Sequence, residues 1–195
     1  MTLLLAEAGL RLAWHPEQEH TVIRADPLCG WSLQPQSRLH SVASDRGLDY
    51  HIAVNSQGRR DRERAPHPGP GVRRVLFLGD SFVFGAGIEA PERCTDRLER
   101  DLGPAFEVVN AGVSGWGTDQ EFLYLCDAGF ALHPDVVVVG FCMLNDVLND
   151  MLAHELFGHA PKPRFLLQDG RLTLLQPAPR PPPSRLQRGA AWLKH

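Results

Sequence analysis

The stretch RRVLFLGDSFVFG, residues 73–85, decides how this chain is read. Val75 to Gly79 form an apolar run of a length that suits a buried strand. The run stops on Gly79-Asp80-Ser81 and gives way to a bend containing Gly85 and Gly87. Three explanations compete for an acid and a hydroxyl at the end of a strand: a plain turn, a phosphate-binding loop, or the seat of a nucleophilic serine. A P-loop needs G-x-x-x-x-G-K-[ST], and the sequence after Gly79, DSFVFGA, has no lysine. The dinucleotide fingerprint G-x-G-x-x-G fails because Ala90 stands where the third glycine belongs. The elbow G-x-S-x-G is met only as far as Phe82, because Val83 replaces its second glycine. The tripeptide alone leaves the turn and the nucleophile open.

Outward from this stretch the pattern becomes regular. Residues 90–103, APERCTDRLERDLG, have helical spacing, with Leu98 and Leu102 on one face and Gly103 as a stop. FEVVNAG (106–112) is a second strand, and TDQEFLYLCDAGFALH (118–133) a second helix whose Thr118 and Glu121 have capping-box spacing. PDVVVVGF (134–141) is a third strand, and a run of valines suits a parallel strand covered on both faces. With three strands, it is also expected at or near an open edge. Strand, helix, strand, helix, strand implies βαβ units and an α/β parallel sheet.

The flanks are less regular. DYHIAVNSQG (49–58) reads as a strand and a turn at residues 56–58, RRDRER (59–64) as a solvated charge cluster, and APHPGPG (65–71) as a linker. RFLLQDGRLTLLQ (164–176) reads as a hairpin turning at Asp169-Gly170, PAPRPPPSR (177–185) as extended, and LQRGAAWLKH (186–195) as helical. MTLLLAEAGLRLAW (1–14) is read as an amphipathic helix with Glu7 and Arg11. It is short of the ~20 apolar residues of a membrane span and lacks the marks of a signal peptide. A sharper reading makes it the tail of a membrane anchor. The expected organisation is a helix over 1–14, an extension over 15–72 and a catalytic-type domain over 73–195.

Composition narrows the function classes. The 195 residues carry 22% charged side chains and a net charge of −3, with 8% aromatics, which argues against a nucleic-acid partner. Cys29, Cys94, Cys126 and Cys142 form no C-x-x-C pair, so no metal site is expected and the thiols are read as mostly buried.

The three strands end in loops of complementary chemistry. The first ends at Asp80-Ser81, the second in NAGVSGWGTDQE (110–121), and the third in CMLND (142–146). Parallel sheets bind ligands at the carboxyl ends of their strands. A serine needs a base to become nucleophilic, and a tetrahedral intermediate needs donors aimed at its oxyanion. The backbone N–H groups of Ser81 and Gly115 and the side-chain amide of Asn145 are candidates for the second role.

The trio GDSF, NAGVSG and LND, in this order on these strands, resembles the SGNH/GDSL hydrolase family. The resemblance covers roughly residues 50–150, including VNSQGRRDRE (54–63), which is similar to bacterial members with an N-terminal extension. It implies a flavodoxin-like three-layer α/β/α fold, a nucleophile at Ser81, an oxyanion hole of Ser81, Gly115 and Asn145, and supporting roles for Asp80, Asn110 and Asp146. It also implies a small-molecule or carbohydrate ester substrate, hydrolysis or acyl transfer, no cofactor, and a cell-envelope or periplasmic setting.

Two positions depart from the family pattern. Met143 stands where the family has glycine in G-x-N-D. The late D-x-x-H that supplies the family's base is not found, and the acidic match Glu17-x-x-His20 precedes the sheet. A C-terminally truncated domain is therefore expected. His133 belongs to the wrong edge of the sheet. His154 and His159 are the candidate bases, with Asp150 and Glu155 at helical spacing to orient them. Asp146 is expected to position its own loop, Asn149 and Asp150 to lie on a helix surface, and Trp116 to serve as pocket wall or core. Two readings follow: a serine ester hydrolase or acyltransferase, or a non-catalytic module binding carbohydrate or a protein partner.

Overall fold

The computed structural model describes residues 22–43, 45, 47–154 and 160–176. The expected segments 1–14, 177–185 and 186–195, along with Glu155 and His159, lie outside the described residues.

The extension holds two hairpins, of which the sequence shows only the strand in DYHIAVNSQG, here β4. β1 (Ile23–Asp26) pairs antiparallel with β2 (Gly30–Leu33), and β3 (Arg38–Ala43) with β4 (Leu48–Ala53). The first turn is closed by Asp26, whose Oδ1 accepts from the Leu28 and Cys29 amides at 2.9 and 2.8 Å. This is the Asx turn that Asp-Pro favours, and D-P-x-x-G was the available signal.

The sheet is parallel and follows the expected βαβ order. β5 (Arg73–Gly79) lies between β6 (Phe106–Asn110) and β7 (Val136–Gly140). Val75 is opposite both Val108 and Val136, and Gly79 is opposite Gly140. Between them run α1 (Ser81–Phe84), α2 (Cys94–Leu102) and α3 (Thr118–Tyr124), and α4 (Asp146–Met151) follows β7. The second helix is not uniform: α3 gives way to a π turn over Leu125–Gly129 and a 3₁₀ turn over Phe130–Leu132. β8 (Arg164–Gln168) and β9 (Arg171–Leu175) form the expected hairpin.

β5 is buried because it is central, whereas β7 pairs on one side only among the described strands. Val136 and Val139 are about half exposed. Among the described strands β7 is an edge strand, and the expected coverage on both faces is not seen.

Two apolar clusters form the core. Leu76, Leu78, Val109, Ala111 and Leu132 form one. The other joins the hairpin residues Trp31, Leu33, Tyr50 and Ile52 to Phe84, Val113, Trp116 and Leu123. Trp116 is thus core, not pocket wall. The two indoles are tied reciprocally: Trp31 Nε1 donates to Ser114 O at 3.0 Å, and Trp116 Nε1 donates to Trp31 O at 2.9 Å.

The RRDRER segment is solvated only at Arg62 and Glu63. Arg59, Arg60 and Arg64 are all under 9% exposed. Arg64 donates to Asp61, to Glu99 and to the Val108 carbonyl, so its charge is buried with partners supplied by α2 and β6. The thiols also differ from expectation, since only Cys29 is buried while Cys94 and Cys126 are exposed.

Candidate active site

Ser81 opens α1, and the turn that holds it is built by its neighbours. Asp80 is the N-cap, with Oδ1 accepting from the Phe82 amide at 2.9 Å. Phe84 N–H donates to Asp80 O, and the Gly85 and Ala86 N–H groups both donate to Ser81 O. Ser81 is partly exposed, and no described residue is hydrogen-bonded to its hydroxyl.

Val83 replaces the second glycine of a lipase elbow, and the space it needs comes from the strands. A Cβ on Gly79 would lie 2.3 Å from Val83 Cγ2, and one on Gly140 would lie 2.4 Å from it. A Cβ on Gly112 would lie 2.4 Å from Phe84 N. The small residues that permit the serine turn therefore sit at the ends of all three strands. The sequence shows this as a glycine closing each of LFLG, NAG and VVVG.

The other two loops converge on this turn. Asn110 is 1% exposed. Its Nδ2 donates to Val83 O at 2.7 Å and to Thr95 Oγ1 at 3.0 Å, and its Oδ1 accepts from Gly112 N at 3.0 Å. Gly115 sits at φ +82°, and its carbonyl accepts from Asn149 Nδ2 at 3.4 Å. Asn145 Nδ2 donates to Asp80 Oδ2 at 2.9 Å, joining the third loop to the cap of the serine turn. Asp146 Oδ2 accepts from Cys142 N at 2.6 Å, a contact within its own loop. Met143 and Leu144 are each 82% exposed beside Asn145.

Beneath these loops lies a group of acids whose environment is not visible in the sequence. Glu121 is not a capping partner: the N-cap of α3 is Gly117, whose N–H donates to Gln120 Oε1 at 3.2 Å. Glu121 is instead 1% exposed, with neither carboxylate oxygen hydrogen-bonded. Burial, then the charges of Asp146 and Asp80, push its carboxyl up to about 8. Burial also raises Asp146 to about 6, against the opposing Cys142 N–H bond. Asn149 faces inward, contrary to expectation, and Asp150 is half-buried. Asn149 is 1% exposed, and Asp150 accepts from Thr118 Oγ1 and from Asp119 N. Lys162, before β8, donates to both Asp119 oxygens at 2.8 and 2.7 Å and to Asn149 O at 2.7 Å.

Glu121 yields a stability prediction with a definite sign. Its carboxyl is near 4.5 when unfolded and about 8 when folded, so the native state holds the extra proton between those values. That contribution is intact below pH 4.5 and is lost as pH rises through about 8, a swing of ~5 kcal/mol for this shift. Glu121→Gln is expected to match the parent protein in urea unfolding at pH 4 and to exceed it by several kcal/mol at pH 9.

Two of the histidines singled out in the sequence, His133 and His154, are among the described residues. His133 is exposed, precedes β7 at the opposite edge of the sheet, and stacks on His67 at 4.2 Å. His154 lies beyond the end of α4, in an isolated bridge with Pro161, so the helical pairing with Asp150 does not form.

A parallel sheet with a serine turn, an Asn-Ala-Gly loop and an Asn-Asp loop at its carboxyl edge defines the class. The chain belongs to the GDSL-like lipase/acylhydrolase family, whose model matches residues 77–189. Among solved structures it is similar to AlinE4, an SGNH-hydrolase family esterase, at 30% identity and a TM-score of 0.30, over 35% of this chain and 39% of that one. An aspartate-to-alanine mutant of the same esterase gives the same values. The chain thus spans about two fifths of the length of those structures. No curated protein matches it. No helix among the described residues is long and apolar enough to cross a membrane.

Proposed function

We propose that this chain hydrolyses, or transfers the acyl group of, small-molecule or carbohydrate esters, with Ser81 as the nucleophile. The observation that carries the reading is the Asn145–Asp80 hydrogen bond. A carboxamide nitrogen has two hydrogens, and Asp80 accepts one. The other is left for an oxyanion next to the N–H groups of Ser81 and Gly115. Asp80 thereby acts twice, capping the serine turn and orienting the donor.

In this mechanism Ser81 Oγ attacks the ester carbonyl and its proton passes to a base. The carbonyl electron pair moves onto oxygen, which the three donors stabilise. Collapse of the intermediate expels the alcohol, protonated by the same base, and leaves an acyl-Ser81 ester. Water then releases the acid, or a second alcohol takes the acyl group. His154 and His159 are the proposed candidates for the base.

A second reading is favoured by one observation: His133 is exposed and precedes β7 at the opposite edge of the sheet, and His154 lies past the end of α4 in a bridge with Pro161. On that reading the chain is a non-catalytic module that binds carbohydrate or a protein partner. Labelling with a fluorophosphonate followed by peptide mass spectrometry separates the two. The hydrolase reading expects one adduct, on Ser81, lost when the responsible histidine is replaced by alanine. An unlabelled Ser81 in folded protein supports the binding module.

A further inference from the structure

Arg60 lies in the extension, 21 residues before Ser81 in the sequence, and is 1% exposed. Its guanidinium is spent on the segment that follows Ser81. Nη1 donates to the Phe84 carbonyl at 3.0 Å and the Gly85 carbonyl at 2.5 Å, and Nη2 donates to Ile88 O at 2.8 Å. Nη2 also donates to His51 O in β4 at 2.7 Å, so one planar group ties the serine turn to the second hairpin. The guanidinium carbon lies 5.0 Å from the Phe84 ring centroid and 5.4 Å from that of Tyr50.

The approach is built on both sides. Gly85, at φ +81°, leaves room for the arginines: a Cβ there would lie 2.5 Å from Arg93 Cγ and 3.3 Å from Arg60 Nη1. Arg93 in turn donates to the Arg60 carbonyl and pairs with Asp96, which fixes the backbone that carries Arg60. α1 is a single turn, too short to be stable by itself. Its last carbonyls have no further turn to satisfy them, and a cation is favourable at that end.

From this geometry we propose that Arg60 is the positioning residue of the nucleophile turn, so that the extension is part of the catalytic unit. The proposal rests on the reading of Ser81 as the nucleophile. Arg60 is buried and acts through the turn. It fixes the far end of the turn whose first residue is Ser81, and displacements of about 1 Å at a reacting group can cost ~10²-fold in rate.

The test compares Arg60→Met, Arg60→Lys and the parent protein by hydrogen exchange and by p-nitrophenyl acetate kinetics. In Arg60→Met the amides of Phe84, Gly85, Ala86 and Ile88 should exchange at least ~10-fold faster while β5 and β6 keep their protection. Its kcat should fall ~10²-fold, with KM within ~3-fold. Arg60→Lys retains the charge but not the four-way fork, and should recover part of both the protection and kcat. Arg60→Met with a protected turn and parental kcat would overturn the proposal. So would equal loss of protection in the turn, β5 and β6, with kcat per folded molecule unchanged. If Arg60→Met does not fold, Arg60→Lys decides by the same two readings. If the parent protein neither hydrolyses the ester nor labels at Ser81, the nucleophile reading has failed. Arg60's hold on the turn then stands or falls on the exchange data alone.

Discussion

Replacing Ser81 with alanine is expected to lower kcat for p-nitrophenyl acetate by at least about 10³-fold, down to the rate of a protein lacking a nucleophile. The variant should also be as stable as the parent, within ~0.5 kcal/mol. That second expectation follows from the cap. Asp80, not Ser81, holds the first turn of α1 through the Phe82 amide. The Ser81 hydroxyl has no hydrogen bond to a described residue, and alanine suits the first position of a helix. Loss of activity with an unchanged melting curve would assign the chemistry to Ser81. Activity that survives the substitution would move the nucleophile elsewhere.

Asn145→Ala is expected to reduce kcat by ~10²–10³-fold, the usual cost of one oxyanion donor, with a much smaller change in KM. Unlike Ser81→Ala it should also destabilise. The Asp80 carboxylate is fully buried, and the substitution strips Oδ2 of its donor. Leaving a buried acceptor unpaired costs ~1–3 kcal/mol. Steady-state kinetics beside urea denaturation reads both effects. A variant destabilised in this way but with parental kcat would make Asn145 a structural tie only.

The parts of the fold that could be read in advance are those set by local pattern. The run from Val75 to Gly79, the FEVVN segment and the four valines each announce a strand through their own composition, and the strands pair in parallel as βαβ spacing requires. What could not be read depends on partners distant in sequence. Arg60 and Arg64 look like a solvated run in isolation. They are buried because carbonyls and carboxylates from residues 84–108 meet them. Glu121 fits a capping motif in sequence, yet tertiary packing turns it inward and Gly117 takes the cap. The candidate site was legible as an inventory: Ser81, Asn110, Gly115 and Asn145 all fall at or after the carboxyl ends of the three strands. The bond that organises it, Asn145 to Asp80, spans 65 residues and leaves no local mark. The Asp150–His154 pairing failed for a simple reason: α4 ends at Met151, before the periodicity can bring the two together.

The reciprocal tie between Trp31 and the Ser114–Trp116 segment bears on how the chain emerges from the ribosome. The β1–β2 and β3–β4 hairpins are local in sequence and can close as soon as residues 22–53 have been made. Trp31 has no acceptor for its indole until Ser114 arrives, 83 residues later, and Trp116 donates back to Trp31 only then. Contacts so far apart in sequence form late, because the loop between them must first be closed. During that interval the hairpins present Trp31, Leu33, Tyr50 and Ile52 to the solvent and to chaperones. The extension is thus the first part of this region to be synthesised and among the last to be buried.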